Sequence, residues 1–253
     1  MTQINLLASV FFRKAADISR RPANAPYHVV KQHVFRQSLA ALVIVCSVAI
    51  GTVTNRASAD TGTNAGDPVR LMVLGDSLVA GHGLPQGEAF PDILGAALNK
   101  AGHNVTMLNA GVSGDTTAGG LARLDWSLAD NPDAMIVVLG GNDLLRGLEP
   151  ASTRQNIADI LNRMHDENIP VLLAGMQAPR NLGADYAAEF DRIYIELGAD
   201  ERVIFYPFFL DGVALEDRFN QPDGLHPNLA GVTKITAQIL PYAEQLVAAA
   251  QSQ

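Results

Sequence analysis

Val69-Arg70-Leu71-Met72-Val73-Leu74-Gly75-Asp76-Ser77-Leu78 is the stretch that decides the fold of this chain. Its first six residues form an apolar run without regular polar alternation, which is typical of a strand buried on both faces of a sheet. Gly75 and Asp76 then favour a turn, and Ser77 follows directly. The stretch therefore predicts a buried strand with a serine hydroxyl near its carboxyl end, in a residue that opens a helical turn.

The same alternation of buried strands and amphipathic segments continues along the chain. Apolar runs predict further strands at 104–108, 134–139, 171–174 and 203–206, after the first at 69–74. Helical patterns occur at 90–101, 120–129, 153–167, 185–197 and 228–250. Strands without polar alternation, separated by helices, indicate an α/β domain with a parallel sheet covered on both faces.

Polar segments follow several of the predicted strands. Gly75-Asp76-Ser77 follows the first, the loop Asn109 to Thr116 follows the second, and Gly140-Gly141-Asn142-Asp143 follows the third. Asp223 and His226 lie on a long loop after the fifth strand and before the last helix. Because functional residues of such folds lie at the carboxyl ends of the strands, we expect these four segments to converge on one edge of the sheet.

Ser77, His226 and Asp223 are the predicted catalytic residues. A serine hydroxyl needs an imidazole to take its proton, and the imidazole needs an acceptor on its other nitrogen to fix its tautomer. Asp223-Gly-Leu-His226 supplies a carboxylate three residues before a histidine. His82 is closer to Ser77 in sequence, but no carboxylate is spaced to orient it. Read alone, each motif could also be an ordinary turn.

Three donors of a predicted oxyanion hole complete this site. They are the backbone N–H of Ser77, the backbone N–H of Gly114 and the side-chain amide of Asn142. Each donor aimed at a developing oxyanion contributes about 2.7–4 kcal/mol to transition-state stabilisation. Taken singly, Gly114 could be a flexible loop glycine and Asn142 a turn residue.

These motifs together resemble the four sequence blocks of the SGNH/GDSL hydrolases. The blocks are Gly75-Asp-Ser-Leu78, Gly114, Gly141-Asn-Asp143 and Asp223-x-x-His226, in the order and at separations similar to those of the family. Finer detail resembles the bacterial thioesterase I, lysophospholipase L1 and arylesterase branch, in particular Asn109-Ala-Gly-Val-Ser-Gly-Asp-Thr116 and Asp223-Gly-Leu-His-Pro-Asn228.

The resemblance implies a three-layer α/β/α sandwich, a flavodoxin-like five-stranded parallel sheet in the order 2-1-3-4-5. It also implies the triad and the oxyanion hole described above, without a metal. The loop 176–186 would then shape access of the acyl chain. Leu78, Leu144, Met176 and Pro179 are the predicted substrate-binding residues, and the alternative that the leucines belong to the core stays open.

The first 59 residues differ in charge from the rest of the chain. They carry seven Lys/Arg and one acidic residue, whereas the remaining 194 carry eleven Lys/Arg and 25 Asp/Glu. An uncharged apolar run at 38–54 precedes Ala57-Ser58-Ala59, the layout of a signal peptide cleaved after Ala59. An uncleaved membrane anchor is the alternative. Residues 60–68 are predicted to be a flexible lead-in, and residues 69–253 the hydrolase domain.

The composition and the missing motifs argue against several kinds of functional site. The only cysteine, Cys46, lies in the apolar run, so the predicted mature chain has neither a disulfide nor a thiol nucleophile. An acidic domain is a poor candidate for binding nucleic acid. Metal-site and phosphate-loop motifs are missing. We expect no cofactor, no metal and a small acyl-ester substrate, with transient lipid contact left open.

The sequence thus predicts an exported, periplasmic or secreted serine esterase. Its substrates would be aryl or acyl esters, with thioesters and lysophospholipids as further members of the range. A carbohydrate O-acetyl esterase is the alternative enzyme. The alternative outside enzymes is a lipid- or ligand-binding domain on the same scaffold.

Overall fold

Five parallel strands form one sheet in the computed structural model, which describes residues 66–253. The strands are β1 (Val69–Gly75), β2 (Val105–Gly111), β3 (Ala134–Val138), β4 (Val171–Ala174) and β5 (Val203–Tyr206). Their order in the sheet is β2-β1-β3-β4-β5, and every pairing is parallel. The predicted fold class and sheet order are confirmed. The predicted leader at 1–59 lies outside the described residues.

Eight α-helices connect or follow the strands within the described residues. They are α1 (Ser77–Ala80), α2 (Phe90–Lys100), α3 (Thr117–Ala122), α4 (Leu124–Leu128), α5 (Gly141–Leu145), α6 (Pro150–Asp166), α7 (Ala184–Leu197) and α8 (Leu229–Gln251). Short 3-10 turns occur at Arg180–Leu182 and Asp217–Phe219. Helix α2 packs on α8, whereas α6 packs on α3 and α7, so the helices form the two outer layers.

The core lies on both faces of the central strands. All residues of β3 and β4 are buried, and β1 is buried except for Arg70. Phe90 packs its ring edge-on against Phe209 at 5.0 Å between centroids, which is a favoured geometry for two aromatic rings. Burial of the strands on both faces explains why their sequences are apolar runs rather than alternating patterns.

Strand β2 extends three residues beyond the predicted end at residue 108. Asn109, Ala110 and Gly111 continue the parallel register against Val73, Leu74 and Gly75. These three residues were predicted to be loop because Asn and Gly are depleted in strands. Since β2 is at the edge of the sheet, its half-exposed residues need not be apolar.

The single helix predicted at 120–129 is wrong, because two short helices, α3 and α4, meet there at Arg123. The backbone of Arg123 leaves helical geometry, with φ −104° and ψ 8°. Its guanidinium points inward, where Nε bonds Asp115 at 2.6 Å and Nη2 donates to the carbonyl of Gly75 at 2.9 Å. Gly119 and Gly120 also lower the helix propensity just before the break.

The polar segments meet at the carboxyl edge of the sheet. The chain leaves β1 for the edge strand β2 and then returns past β1 to β3, so the connections diverge on either side of β1. Such a switch point leaves a crevice outside the strand ends, where ligands bind in open α/β sheets. In the part of the chain described, 66–253, no helix is both long and apolar enough to cross a bilayer.

We expect replacement of Leu71 by Ala to lower the free energy of unfolding by about 2–5 kcal/mol, because it leaves a cavity in the centre of β1. Leu71 is fully buried and pairs with both β2 and β3. Urea denaturation of the purified protein measures the change. Leu215→Ala is the control, since Leu215 is 86% exposed and its truncation should change the stability by less than about 0.5 kcal/mol. Equal losses of unfolding free energy in the two variants would contradict the burial of Leu71 in the core.

Candidate active site

Ser77 opens helix α1 directly after β1. The carboxylate of Asp76 caps this helix, because its Oδ1 accepts a hydrogen bond from the backbone N–H of Leu78 at 3.0 Å. Gly75 has no room for a side chain, since a Cβ there would lie 2.3 Å from Cγ2 of Val79. The predicted helical turn at Ser77 is confirmed, and the serine is half-buried at the edge of the sheet.

Asp223 and His226 form a compact turn before α8. Oδ1 of Asp223 accepts hydrogen bonds from the backbone N–H groups of Leu225 and His226, at 2.9 and 3.0 Å. Its Oδ2 lies 2.6 Å from Nδ1 of His226. Gly224 has a φ of +70°, a conformation that residues with a Cβ rarely adopt. The turn therefore aims both oxygens of the carboxylate at the residues that follow it.

The two ends of the domain meet at Ser77 and His226. Nε2 of His226 lies 2.9 Å from Oγ of Ser77, although the residues are 149 positions apart in sequence. Because the carboxylate of Asp223 accepts a hydrogen bond, a neutral imidazole carries its proton on Nδ1 and presents Nε2 as an acceptor. The arrangement can therefore remove the proton of the serine hydroxyl as that oxygen attacks an electrophile.

The carboxyl of Asp223 stays ionised over the neutral and mildly acidic range. Partial burial raises its pKa, but hydrogen bonds from the ring of His226 and from the backbone of Leu225 and His226 outweigh that effect and lower the pKa to about 2. A negative charge at 2.6 Å stabilises an imidazolium at His226. The pair can thus hold the proton that a serine gives up.

Asn142 lies in the short helix α5, where the sequence predicted a loop. Its side-chain Nδ2 donates a hydrogen bond to Oδ2 of Asp76 at 3.1 Å, so it is held beside the backbone of Ser77. An amide nitrogen has two N–H groups, and only one is used in this bond. The second is available to a ligand. The helix was missed because Gly-Gly-Asn-Asp favours turns in short-range patterns.

Buried Asp143 fixes the helix that carries Asn142. Its carboxylate accepts hydrogen bonds from the backbone N–H of Thr117 at 2.9 Å, from Oγ1 of Thr117 at 2.6 Å and from Oγ1 of Thr153 at 3.1 Å. These partners lie on α3 and α6. The buried charge is therefore well satisfied, and it joins three helices beneath the site.

Gly114 lies in a tight turn after β2. Its φ is +89°, and an added Cβ would meet only Nη2 of Arg146, at 3.7 Å. The glycine is thus required by backbone conformation rather than by lack of space. Its carbonyl accepts a hydrogen bond from Nη2 of Arg146 at 2.6 Å. Because Arg146 is the C-cap of α5, this bond connects the Gly114 turn to the helix that carries Asn142.

The structure separates the four predicted substrate-binding residues into two pairs. Leu144 and Met176 are 8% and 3% exposed and pack in the hydrophobic core, which agrees with the alternative that Leu144 is a core leucine. Leu78 is half-buried beside Ser77, and Pro179 is exposed on the loop after β4. Only Leu78 and Pro179 present appreciable surface to a ligand.

The roles of several residues that shape the site were not predicted from sequence. Arg123, Asp143, Arg146 and Gln221 act through partners that are distant in the chain, so local patterns carry little information about them. For two of them, the spacing from a motif residue could have indicated a role. Asp143 and Arg146 follow the motif asparagine by one and four residues, and the latter spacing places the arginine one helical turn further on.

No group of three or more His, Cys, Asp or Glu side chains within residues 66–253 is arranged to hold a metal ion. Two surface grooves lie on other parts of the domain. One lies between α6 and α7 near Arg154 and Glu196, and the other is near Asp133 and Arg163. Neither is lined by a predicted catalytic residue.

Comparison with known proteins identifies similar sequences and structures. Residues 73–234 match the model of the GDSL-like lipase/acylhydrolase family. The esterase TesA of Pseudomonas aeruginosa is 38% identical over 208 residues, which cover 82% of this chain and 99% of that protein. Thioesterase 1/protease 1/lysophospholipase L1 of Escherichia coli strain K12 is 39% identical over 159 residues, 62% of this chain and 75% of the relative.

The solved structure of an inhibited esterase has a similar fold. The psychrotrophic esterase EstA from Pseudoalteromonas sp., inhibited by monoethylphosphonate, superposes with a TM-score of 0.66 at 27% identity. The match covers 70% of this chain and 97% of that chain.

We expect Asp76 to make folding stability depend on pH. Burial raises the pKa of its carboxyl to about 6, against the lowering effect of the hydrogen bonds from Leu78 and Asn142. A carboxyl whose pKa is higher in the folded state favours folding below the unfolded value of about 4, and this contribution is lost as pH rises through about 6. The free energy of unfolding of the wild type, relative to Asp76→Asn, should fall between pH 4 and 7 by on the order of 2 kcal/mol.

Urea denaturation at fixed ionic strength measures the free energy of unfolding of both proteins. The test is how the difference between wild type and Asp76→Asn changes with pH. The absolute stability of Asp76→Asn also reflects the changed hydrogen bonds. Asp185→Asn, at an exposed position in the first turn of α7, is the control and should leave the pH dependence unchanged. Parallel wild-type and Asp76→Asn curves would contradict the buried ionisable group.

Proposed function

Because the chain belongs to the GDSL-like lipase/acylhydrolase family, we propose that it is an exported serine esterase that works through a Ser77–His226–Asp223 triad. The observation that carries the proposal is the contact of 2.9 Å between Oγ of Ser77 and Nε2 of His226, whose Nδ1 lies 2.6 Å from Asp223. A ligand-binding domain would not need a base paired with a nucleophile.

Acylation begins when Oγ of Ser77 attacks the carbonyl carbon of the ester. His226 takes the hydroxyl proton, and Asp223 stabilises the resulting imidazolium. When the tetrahedral intermediate collapses, the bond from carbon to the leaving oxygen breaks and His226 gives its proton to that oxygen. The products of this half-reaction are a free alcohol and an acyl group on Ser77.

Deacylation repeats the same steps with water as the nucleophile. His226 takes a proton from water as the oxygen attacks the acyl carbon, and then returns it to Oγ of Ser77. The acid is released and the free serine is restored. The same imidazole thus serves as base and acid in both halves of the cycle.

The oxyanion of both intermediates would be stabilised by the N–H groups of Ser77 and Gly114 and by the amide of Asn142. The hydrogen bond of Asn142 to Asp76 supports this role, because it fixes the amide while leaving one N–H free. The hydrogen bond from Arg146 to the Gly114 carbonyl supports the role of the glycine turn. Such fixed donors need no reorganisation during the reaction.

The proposed substrates are carboxylic esters with apolar acyl or aryl groups, and the range extends to thioesters and lysophospholipids. Half-buried Leu78 and exposed Pro179 would contact the apolar group, beside exposed Leu145 and Leu182. The two similar enzymes from Pseudomonas aeruginosa and Escherichia coli are named as an esterase and as a thioesterase and lysophospholipase, which supports this range.

Export of the enzyme is proposed from the leader sequence. The uncharged run at 38–54 and Ala57-Ser58-Ala59 favour cleavage after Ala59, and release to the periplasm or medium.

We predict that Ser77→Ala lowers kcat for p-nitrophenyl butyrate by at least about 10⁴-fold, because the attacking oxygen is removed. Circular dichroism should show an unchanged fold, since the hydroxyl is only half-buried. Ser152→Ala, on the exposed side of α6, is the control and should keep full activity.

A serine-reactive phosphonate should label the wild type at Ser77 and leave Ser77→Ala unlabelled. The similar esterase EstA is inhibited by monoethylphosphonate, which supports this choice of reagent. Wild-type turnover by Ser77→Ala would rule out the mechanism.

We predict that kcat/KM is higher for the p-nitrophenyl ester of octanoate than for that of acetate, by at least about fivefold. Each methylene buried against apolar side chains can contribute up to about 0.8 kcal/mol to transition-state binding. Since the leaving group is the same in both esters, the ratio reports contacts with the acyl chain. A strong preference for acetate would instead favour the carbohydrate O-acetyl esterase.

A further inference from the structure

Gln221 forms hydrogen bonds within the loop of His226, and one further hydrogen bond to the segment that follows Ser77. Its backbone N–H donates to the carbonyl of His226 at 2.7 Å, and its own carbonyl accepts from the N–H of Gly224 at 2.9 Å. Its side-chain Nε2 donates to the carbonyl of Pro227 at 3.0 Å and to that of His82 at 2.7 Å. The last bond joins residues 139 positions apart.

His82 contacts the same loop through its ring. The imidazole rings of His82 and His226 lie 4.5 Å apart between centroids and are tilted by 44°. The backbone N–H of His82 donates to the carbonyl of Ser77 at 3.2 Å. One residue therefore contacts Ser77 through its N–H, Gln221 through its carbonyl and His226 through its side chain.

Gly83 leaves the space that the side chain of Gln221 occupies. An added Cβ at Gly83 would lie 2.1 Å from Oε1 of Gln221, and the φ of Gly83 is +72°. A larger residue at this position would therefore have to displace the amide.

These contacts supply a constraint that Asp223 cannot. Asp223 and His226 lie on the same turn, so their hydrogen bond orients the ring within the loop but does not fix the loop relative to Ser77. Among the described hydrogen bonds of residues 221–228, only two reach the segment of Ser77. They are the bond from Gln221 to His82 and the contact of His226 with Ser77 itself.

We propose that Gln221 and His82 are positioning residues that hold the imidazole of His226 at hydrogen-bond distance from Oγ of Ser77. The inference rests on the proposed function. It adds two positioning residues that belong neither to the triad nor to the oxyanion hole. Displacement of a reacting group by about 1 Å can cost about 10²-fold in rate. Since so few hydrogen bonds join this loop to the Ser77 segment, the rate should be sensitive to their loss.

We predict that Gln221→Leu lowers kcat by about 10–100-fold and changes KM less than about twofold. Leucine keeps a side chain of similar bulk but cannot donate to the carbonyls of His82 and Pro227. Substrate binding should survive, because Gln221 is not among the proposed substrate contacts. Gln155→Leu is the matched control, since this exposed glutamine on α6 bonds only Asp159 in its own helix.

The His82 variants test the ring contact separately. His82→Phe keeps an aromatic ring against His226 and should retain kcat within about threefold, whereas His82→Ala should lose about tenfold. Because phenylalanine cannot accept a proton, this pattern also excludes proton transfer by His82. His103→Ala, at a histidine near Glu244 and away from the site, should match the wild type. Equal kcat values for His82→Phe and His82→Ala would overturn the role of the ring.

Two further measurements distinguish mispositioning from unfolding of the loop. In Gln221→Leu the low-field proton signal of Nδ1–H of His226 should persist, because Asp223 moves with His226. The rate of phosphonate labelling of Ser77 should fall in parallel with kcat. Loss of the proton signal would indicate that Gln221 merely maintains the loop and would overturn positioning, as would an unchanged kcat.

Ser77→Ala, measured alongside, separates this inference from the proposed function. An active Ser77→Ala would refute the triad whatever the behaviour of the Gln221 variant. An inactive Ser77→Ala together with a fully active Gln221→Leu would overturn only the positioning role. Should Gln221→Leu fail to fold, the variants of the exposed residue His82 still test whether the ring contact positions His226.

Discussion

The buried carboxylate of Asp76 is the contact on which the geometry of this site depends. One oxygen caps α1 and so sets the direction of the backbone at Ser77, and the other holds the amide of Asn142. Burial raises the pKa of the carboxyl to about 6, so ionisation of Asp76 near neutral pH opposes folding. The same carboxyl that lowers stability near neutral pH therefore aligns Ser77, the proposed nucleophile, with Asn142, a proposed oxyanion donor.

The topology of the sheet explains how the side chain of Asp76 can reach both helix α1 and Asn142. Strands β1 and β3 are neighbours, so the residues that follow them emerge side by side, and β2 brings the Gly114 turn to the other side of β1. Arginine side chains then fix that turn, since Arg146 bonds the carbonyl of Gly114 and Arg123 bonds both Asp115 and the end of β1. Bidentate or forked donors suit such bridging positions.

The sequence predicted the parts of this structure that depend on local pattern. The bounds of β4 and β5 are as predicted because each is a short apolar run with clear ends. Helix α5 and the end of β2 were missed because glycine and asparagine favour turns, and tertiary contacts outweighed that preference. The motifs predicted which residues belong to the site. The bonds of Asn142 to Asp76 and of Gln221 to His82 join positions that are distant in sequence, and no local pattern encodes such bonds.

His226 differs from the other site residues in how it is held. Ser77, Gly114 and Asn142 follow strands by short connections, so the register of the sheet fixes their separations. His226 lies 20 residues beyond the end of β5, on a segment that forms none of the five strands of the sheet. The bridge between Asn220 and Pro227 joins this segment to itself. Under the positioning role proposed for Gln221 and His82, the distance from Nε2 of His226 to Oγ of Ser77 depends on a few side-chain contacts. Two chains with identical motif residues can differ in turnover when those contacts differ, because proton transfer requires hydrogen-bond distance.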